Sequence, residues 1–428
     1  MRFLKLISAS GLVLASQTTF AAGEINAGNT AWLLVATALV LFMTLPGLAL
    51  FYGGLVRSKN ALSIMMQCFA ITCGVSLLWF AFGYGLAFGD GGAWNAWIGG
   101  GKVWLAGMAR GDLQGDAPET VYLMFQMTFA IITPALIIGA FAERMRFSAA
   151  LMFSLAWFVL AYLPVCHWVW GKGWLASLGA LDYAGGIVVH VNAGAAALVA
   201  ALMLGRRHGF PDHAMPPHNM TLVVAGAGML WVGWFGFNAG SALAANGDAG
   251  MTMLATHLSA AAGAVAWSVL EWKIYGKPSV LGLVTGMVAG LGTITPASGF
   301  VGPAAAVAIG FTAGAVCYTA THCFKRIWKI DDSLDVSPVH GVGGALGSIL
   351  TGVFVAGPLG GSGLADGVSM GHQVMVQLLA VTVTAVWSAG VSWVLLKLLA
   401  GTVGLRVSLD EEREGLDLSA HGESAYLL

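Results

Sequence analysis

Charge is what this chain has least of. Its 20 Asp and Glu and 19 Lys and Arg make up 9% of 428 residues, against 58% apolar residues and a mean hydropathy of +0.81. A soluble domain carries about 25% charged residues, so a water-facing surface over most of this sequence is excluded. Neither the net charge of −1 nor any long basic run suits a nucleic-acid partner. Cysteines number five and form no CxxC pair. That odd set excludes a complete disulfide framework, and Cys68, Cys73, Cys166, Cys317 and Cys323 read as small buried hydrophobes. GxxxxGK[ST] and HExxH are missing too, which leaves no sign of a nucleotide-driven pump or an intramembrane metalloprotease. No enzyme activity and no cofactor are expected.

What is present is long apolar runs. No polar linker of useful length divides the chain, so one membrane domain is expected over 23–405, followed by a charged tail over 406–428. Residues 1–22 read as a secretory signal peptide: Arg2 and Lys5, an apolar run from Leu6 to Ala15, then small residues suited to cleavage after Ala21 or Ala22.

Eleven stretches are long enough to cross a bilayer, near 31–54, 63–87, 119–142, 148–169, 184–204, 219–239, 251–271, 279–296, 303–324, 334–356 and 370–399. In lipid the backbone must satisfy its own hydrogen bonds, so they read as helices. The fold class expected is an all-α polytopic membrane protein with eleven transmembrane helices. An outside N-terminus then leaves only Lys102, Arg110 and Lys172 in outer loops and puts Arg57, Lys59, Arg144, Arg146, Arg206 and Arg207 on the cytoplasmic side. That asymmetry fits the positive-inside rule.

The two halves share a spacing. Asp182 and His190 recur as Asp332 and His340, both displaced by 150 residues, and an Ile-Thr-Pro triplet at 132–134 recurs at 294–296. Helices 1–5 and 6–10 therefore read as two copies, with the eleventh helix left over. An odd repeat of five enters the membrane from the opposite side, which makes it an inverted repeat. Eight helical residues cover about 12 Å, so His190 and His340 are expected to approach the bilayer midplane from opposite faces. Pro338 is the weak point, because a proline often opens a helix and would move His340 toward the cytoplasm.

Buried ionisable groups in membrane helices are costly and usually face a pathway. Two histidines at matching repeat positions therefore read as a shared functional site, whereas His167 and His257 lack such partners and read as structural. Asp182 and Asp332 read first as N-terminal helix caps. The aromatic stretches CHWVWGKGW (166–174) and WVGWFGFNAGSA (231–242) suit an interfacial belt, and aromatic faces also bind small cations.

In FYGGLVRSKN, GALDYAGGIVVH, GWFGFNAGSA, SPVHGVGG and EEREGLDLSAHGESAY, running from about Trp32 to Tyr426, the sequence resembles the Amt/Mep/Rh ammonium transporter family, in particular its bacterial Amt branch. The resemblance implies an external ammonium site at Trp170 and Ser241, beside Phe125 and Phe129 and supported by Asp182. It implies a pore gate of Phe129 and Phe237 and a conduction path along His190 and His340. It further implies a homotrimer in the cell inner membrane, with its C-terminus cytoplasmic and a P-II-type nitrogen signal protein acting there. Two rival readings stand beside it: an ammonium sensor signalling through the tail, and a membrane redox protein with His190 and His340 as haem ligands.

Overall fold

The computed structural model describes residues 24–426; the signal peptide expected at 1–22 lies outside them. Among the described residues the chain is a sequence of helical rods: α1 (Ala27–Leu55), α2 (Ser58–Phe88), α3 (Glu119–Phe141), α4 (Phe147–Ser177), α5 (Gly186–Leu204), α6 (Met220–Gly240), α7 (Gly247–Tyr275), α8 (Val280–Ile294) and α9 (Pro303–Ile327). Then come α10, a π turn at Ser337–Gly341 running into Val342–Phe354, and α11 (Met370–Thr402). Nine of these are long and apolar enough to cross a membrane; α8 and α10 are not among them. The helix α8 gives way to tight turns from Thr295 to Phe300, whereas α10 starts at Ser337 and is made less apolar by Ser337, Pro338, His340 and its glycines.

Both histidine helices begin late. The helix α5 starts at Gly186, not at Asp182, and His190 N–H reaches five residues back to Gly185 O at 3.0 Å. Pro338 does open α10, two residues before His340. The pair still meets because the delay is similar on both sides, and because the two rods cross at glycines. A Cβ on Gly194 would lie 2.2 Å from Gly341 Cα, and one on Gly344 would lie 2.6 Å from His190 Cβ. Only backbone without side chain permits that approach, a device common between membrane helices.

At one end of the bundle the loops are tied by buried charges. Glu143 receives Arg57 at 2.9 Å and Arg207 at 3.1 Å, and Arg207 also pairs with Asp331 at 2.8 Å. These four residues come from the ends of α1, α3, α5 and α9. Burial opposes ionisation of Glu143, but Arg207 and Arg57 outweigh it and hold its carboxyl below the ordinary carboxylate range. Asp331 is held low in the same way by Arg207 against burial.

The tail packs onto this same end through two short helices, Leu409–Glu414 (α12) and Leu416–His421 (α13). Asp417 accepts the Leu62 and Ser63 amides at 3.0 and 2.7 Å, in the first turns of α2, while Glu412 takes Arg406 at 2.7 Å. Residues 367–371, GVSMG, match the GxSxG pattern of serine hydrolases. Here Ser369 simply caps α11, accepting the His372 amide at 3.2 Å.

Candidate functional site

Three cavities lie end to end along the bundle. The first holds about 270 Å³ and is lined by Tyr122, Gln126, Phe129, Trp170, Asp182 and Ser241, among others. The second, with Phe237, Trp234, His190 and His340 in its wall, holds only about 10 Å³. One water needs roughly 10–15 Å³ of such space, so this lumen is nearly dry. His340 also lines the third cavity, of about 260 Å³, with Tyr52, Glu271, Lys325, Ser333 and Asp335. Phe129 and Phe237 form the partition between the first two, their ring centroids 4.3 Å apart and tilted by 35°.

The expected mouth residues come together, though in different roles. Trp170 meets Phe129 edge to face at 5.7 Å and spends its indole N–H on Asp182 O at 2.8 Å. Ser241 donates its hydroxyl to Phe237 O at 2.8 Å. Its oxygen lone pairs are thereby left as acceptors toward the cavity. Asp182 is a cap: its carboxylate accepts the amides of Gly185, Gly186, Ile187 and Val188 at 2.6 to 3.0 Å. Burial pushes its carboxyl up and these four donors pull it back. Phe125 does not line the cavity but backs Phe129 at 5.0 Å.

Beyond the partition, His190 and His340 face each other through Nδ1 and Nδ1 at 3.2 Å, their rings 19° from parallel. In such a bond one nitrogen donates and the other accepts, so the two neutral rings hold opposite tautomers. His190 also lies nearly parallel to Trp234, at 5.6 Å and 22°. A Cβ on Gly292 would meet nothing within 4 Å except His190 Nε2 and His340 Nδ1, both at 3.9 Å. Gly292 therefore leaves the side of the pair open. Trp234, Gln126 and Gly292 escaped the sequence reading. The WVGWFGF stretch signals Trp234 by its aromatic density, whereas a lone glycine or glutamine in an apolar helix carries no such signal.

His167, expected to be structural, is one. Its ring nitrogens face Ala87 O at 2.9 Å and Asn95 O at 2.6 Å, which clamps the loop after α2 to the end of α4 just before Trp170.

Comparison with known proteins gives the family. The sequence model of the Ammonium Transporter Family matches residues 31–426. An ammonium transporter of Aquifex aeolicus is 47% identical, covering 98% of both chains, and one of Bacillus subtilis is 46% identical over 93% of this chain and 98% of the relative. Among solved structures, a sensor Amt protein superposes with a TM-score of 0.86 at 32% identity, covering 92% of this chain and 98% of that one. Mep2 of Saccharomyces cerevisiae gives a TM-score of 0.80 at 35% identity, over 90% and 91%. With matches of this extent and identity, the chain belongs to the ammonium transporter family.

Proposed function

We propose that the chain recruits ammonium at the mouth between Trp170, Phe129 and Ser241, strips its proton at the Phe129 and Phe237 partition, and conducts ammonia along His190 and His340. The observation that carries this reading is a nearly dry lumen, about 10 Å³, closed by the paired rings of Phe129 and Phe237 and walled by a hydrogen-bonded imidazole pair. A cation gains little there, but ammonia both donates and accepts. At the mouth the π faces and the Ser241 lone pairs favour a donor-only cation.

The cost is within reach. If ammonium titrates like a lysine amine, near ~10.4, losing its proton at pH 7 costs roughly 4.6 kcal/mol. Burial alone shifts amines by about 3–5 pH units. The imidazole pair gives the proton a route of its own, since opposite tautomers can pass one along the shared bond.

The same reading has all eleven helices crossing, with α1–α5 and α6–α10 as inverted copies. Its support is that Asp182 and Asp332 cap matching turns, and that Gly194 and Gly344, 150 apart, each face the other copy's histidine segment. The reading places the protein in the cell inner membrane with its N-terminus outside, where the clustered arginines and the tail mark the cytoplasmic end. His257 is exposed on α7, beside Trp231 at 5.2 Å. A titratable ring is costly against lipid, which supports covering of that face by further copies in a homotrimer. The docked tail would give a P-II-type protein a firm surface beside the exit.

A sensor role is favoured by one structural relative, the sensor Amt protein. Removing α12 and α13 while assaying uptake and signalling separately discriminates the two, since a sensor loses its signal even where uptake persists. The haem reading fails on geometry, because no macrocycle fits between rings whose Nδ1 atoms sit 3.2 Å apart.

The test is an ammonium jump on purified protein in proteoliposomes on a solid-supported membrane, with and without a proton gradient. A transient current or an internal pH change that empty liposomes lack is expected. The absence of both signals would refute the transport reading.

A further inference from the structure

One residue of the inner cavity stands where the backbone favours glycine. Asp335 adopts φ 60°, a left-handed conformation, and 150 residues earlier Gly185 takes the matching position with φ 119°. Non-glycine residues held there cost stability and concentrate at functional sites, although Asp and Asn tolerate the region best. The aspartate must gain something that glycine does not give.

Its surroundings say what. The carboxylate lines the same cavity as His340, five residues on, with Ser333, Tyr52 and Glu271 nearby. Oδ2 pairs with Lys325 Nζ at 2.6 Å, whereas Oδ1 is buried and has no hydrogen-bond partner. An unmatched carboxylate oxygen wants a donor. Direct backbone service is not its task, because the bond that starts the turn, Val339 N–H to Asp335 O at 3.1 Å, uses the main chain.

We propose that Asp335 is a cation-binding carboxylate of the inner vestibule, which takes the ammonium re-formed below His340 through Oδ1 and holds it before release. This rests on the transport reading above. Ammonia leaving the dry lumen enters a cavity of about 260 Å³, ample for water. There its lone pair takes a proton from water, which is left as hydroxide. The ammonium formed presents four N–H donors, and Asp335 offers an acceptor not used by the fold. In the reverse direction the same oxygen recruits ammonium from the inside, as Ser241 does outside.

The experiment measures the half-saturating ammonium concentration separately from each face of oriented proteoliposomes. Asp335→Asn keeps the shape and tolerates the backbone, and is expected to raise the cytoplasmic value roughly tenfold while leaving the external value unchanged. Asp335→Gly should show the same loss and a thermal midpoint higher by about 2 °C, because strain is relieved. Lys325→Met, which breaks the ion pair but keeps the carboxylate, should retain cytoplasmic affinity. An unchanged cytoplasmic value in both Asp335 variants overturns the proposal, as does an equal loss in Lys325→Met, which would assign the effect to the ion pair. Absence of transport by the unaltered protein would count against the transport reading itself.

Discussion

Replacing His190 and His340 together with leucine is expected to cut ammonium-evoked current at least about tenfold, a change of about 1.4 kcal/mol in barrier, in protein that still folds. Leucine fills a similar volume and can keep the apolar packing, and the pair's side chains make no hydrogen bond to the rest of the fold: His190 Nε2 has no partner, and the one bond of each Nδ1 is to the other ring. What disappears is the shared bond and with it the polar step in an apolar lumen. Single replacements are informative as well. Loss of either ring leaves the other buried without its partner, so each single variant should lose nearly as much as the double. Currents of unaltered size in the double variant would remove the imidazoles from the mechanism.

Arg207→Met is expected to lower the thermal midpoint more than other single changes at the end of the bundle that carries the tail, with a cost of about 3–5 kcal/mol. Arg207 bridges Glu143 and Asp331, whose side chains are 0% exposed. Removing it leaves Asp331 without its ion-pair partner and Glu143 with Arg57 alone. Adding Glu143→Gln and Asp331→Asn to Arg207→Met should recover part of the loss, because no buried carboxylate is then left charged and Arg57, which loses its partner, is partly exposed to solvent. The pH dependence follows from the lowered carboxyls of Glu143 and Asp331. A carboxyl held low in the folded state binds fewer protons there than in the unfolded chain. Its stabilisation is therefore present above the ordinary carboxylate range, near about pH 4, and fades as pH falls through the lowered folded values. The unaltered protein should lose stability below about pH 4, and the triple variant should lose less of it. A midpoint for Arg207→Met equal to that of the unaltered protein would show that these charges do not tie the loops.

Much of this site was legible in the sequence because it is written as spacing. The 150-residue displacement of Asp182 and His190 onto Asp332 and His340 anticipated an imidazole pair before any coordinates, and the aromatic stretches anticipated the ring partition. Helix lengths were less legible. Apolar composition runs past Ile294, but the chain turns around Pro296; the stretch expected from 334 carries Asp335, and α10 begins only at Ser337 beside Pro338, so both helices are shorter than expected. The contact that brings the histidines together was hidden, since Gly194, Gly341 and Gly344 look like any others among 60 glycines. Phe125 was placed beside the mouth by the family resemblance, yet of the two phenylalanines only Phe129 lines the cavity and Phe125 backs it. The strained backbone at Asp335 left no trace in composition at all.

The central claim is that only a species able to give up its proton crosses the lumen. Potassium resembles ammonium in charge and size but has no proton to lose. The direct measurement is therefore current through the purified, reconstituted protein under equal inward gradients of ammonium and of potassium. The account predicts an ammonium-evoked current and, for potassium, no more than empty liposomes give. A potassium current comparable to that of ammonium would contradict it, because an intact cation would then be passing between Phe129 and Phe237 and along His190 and His340.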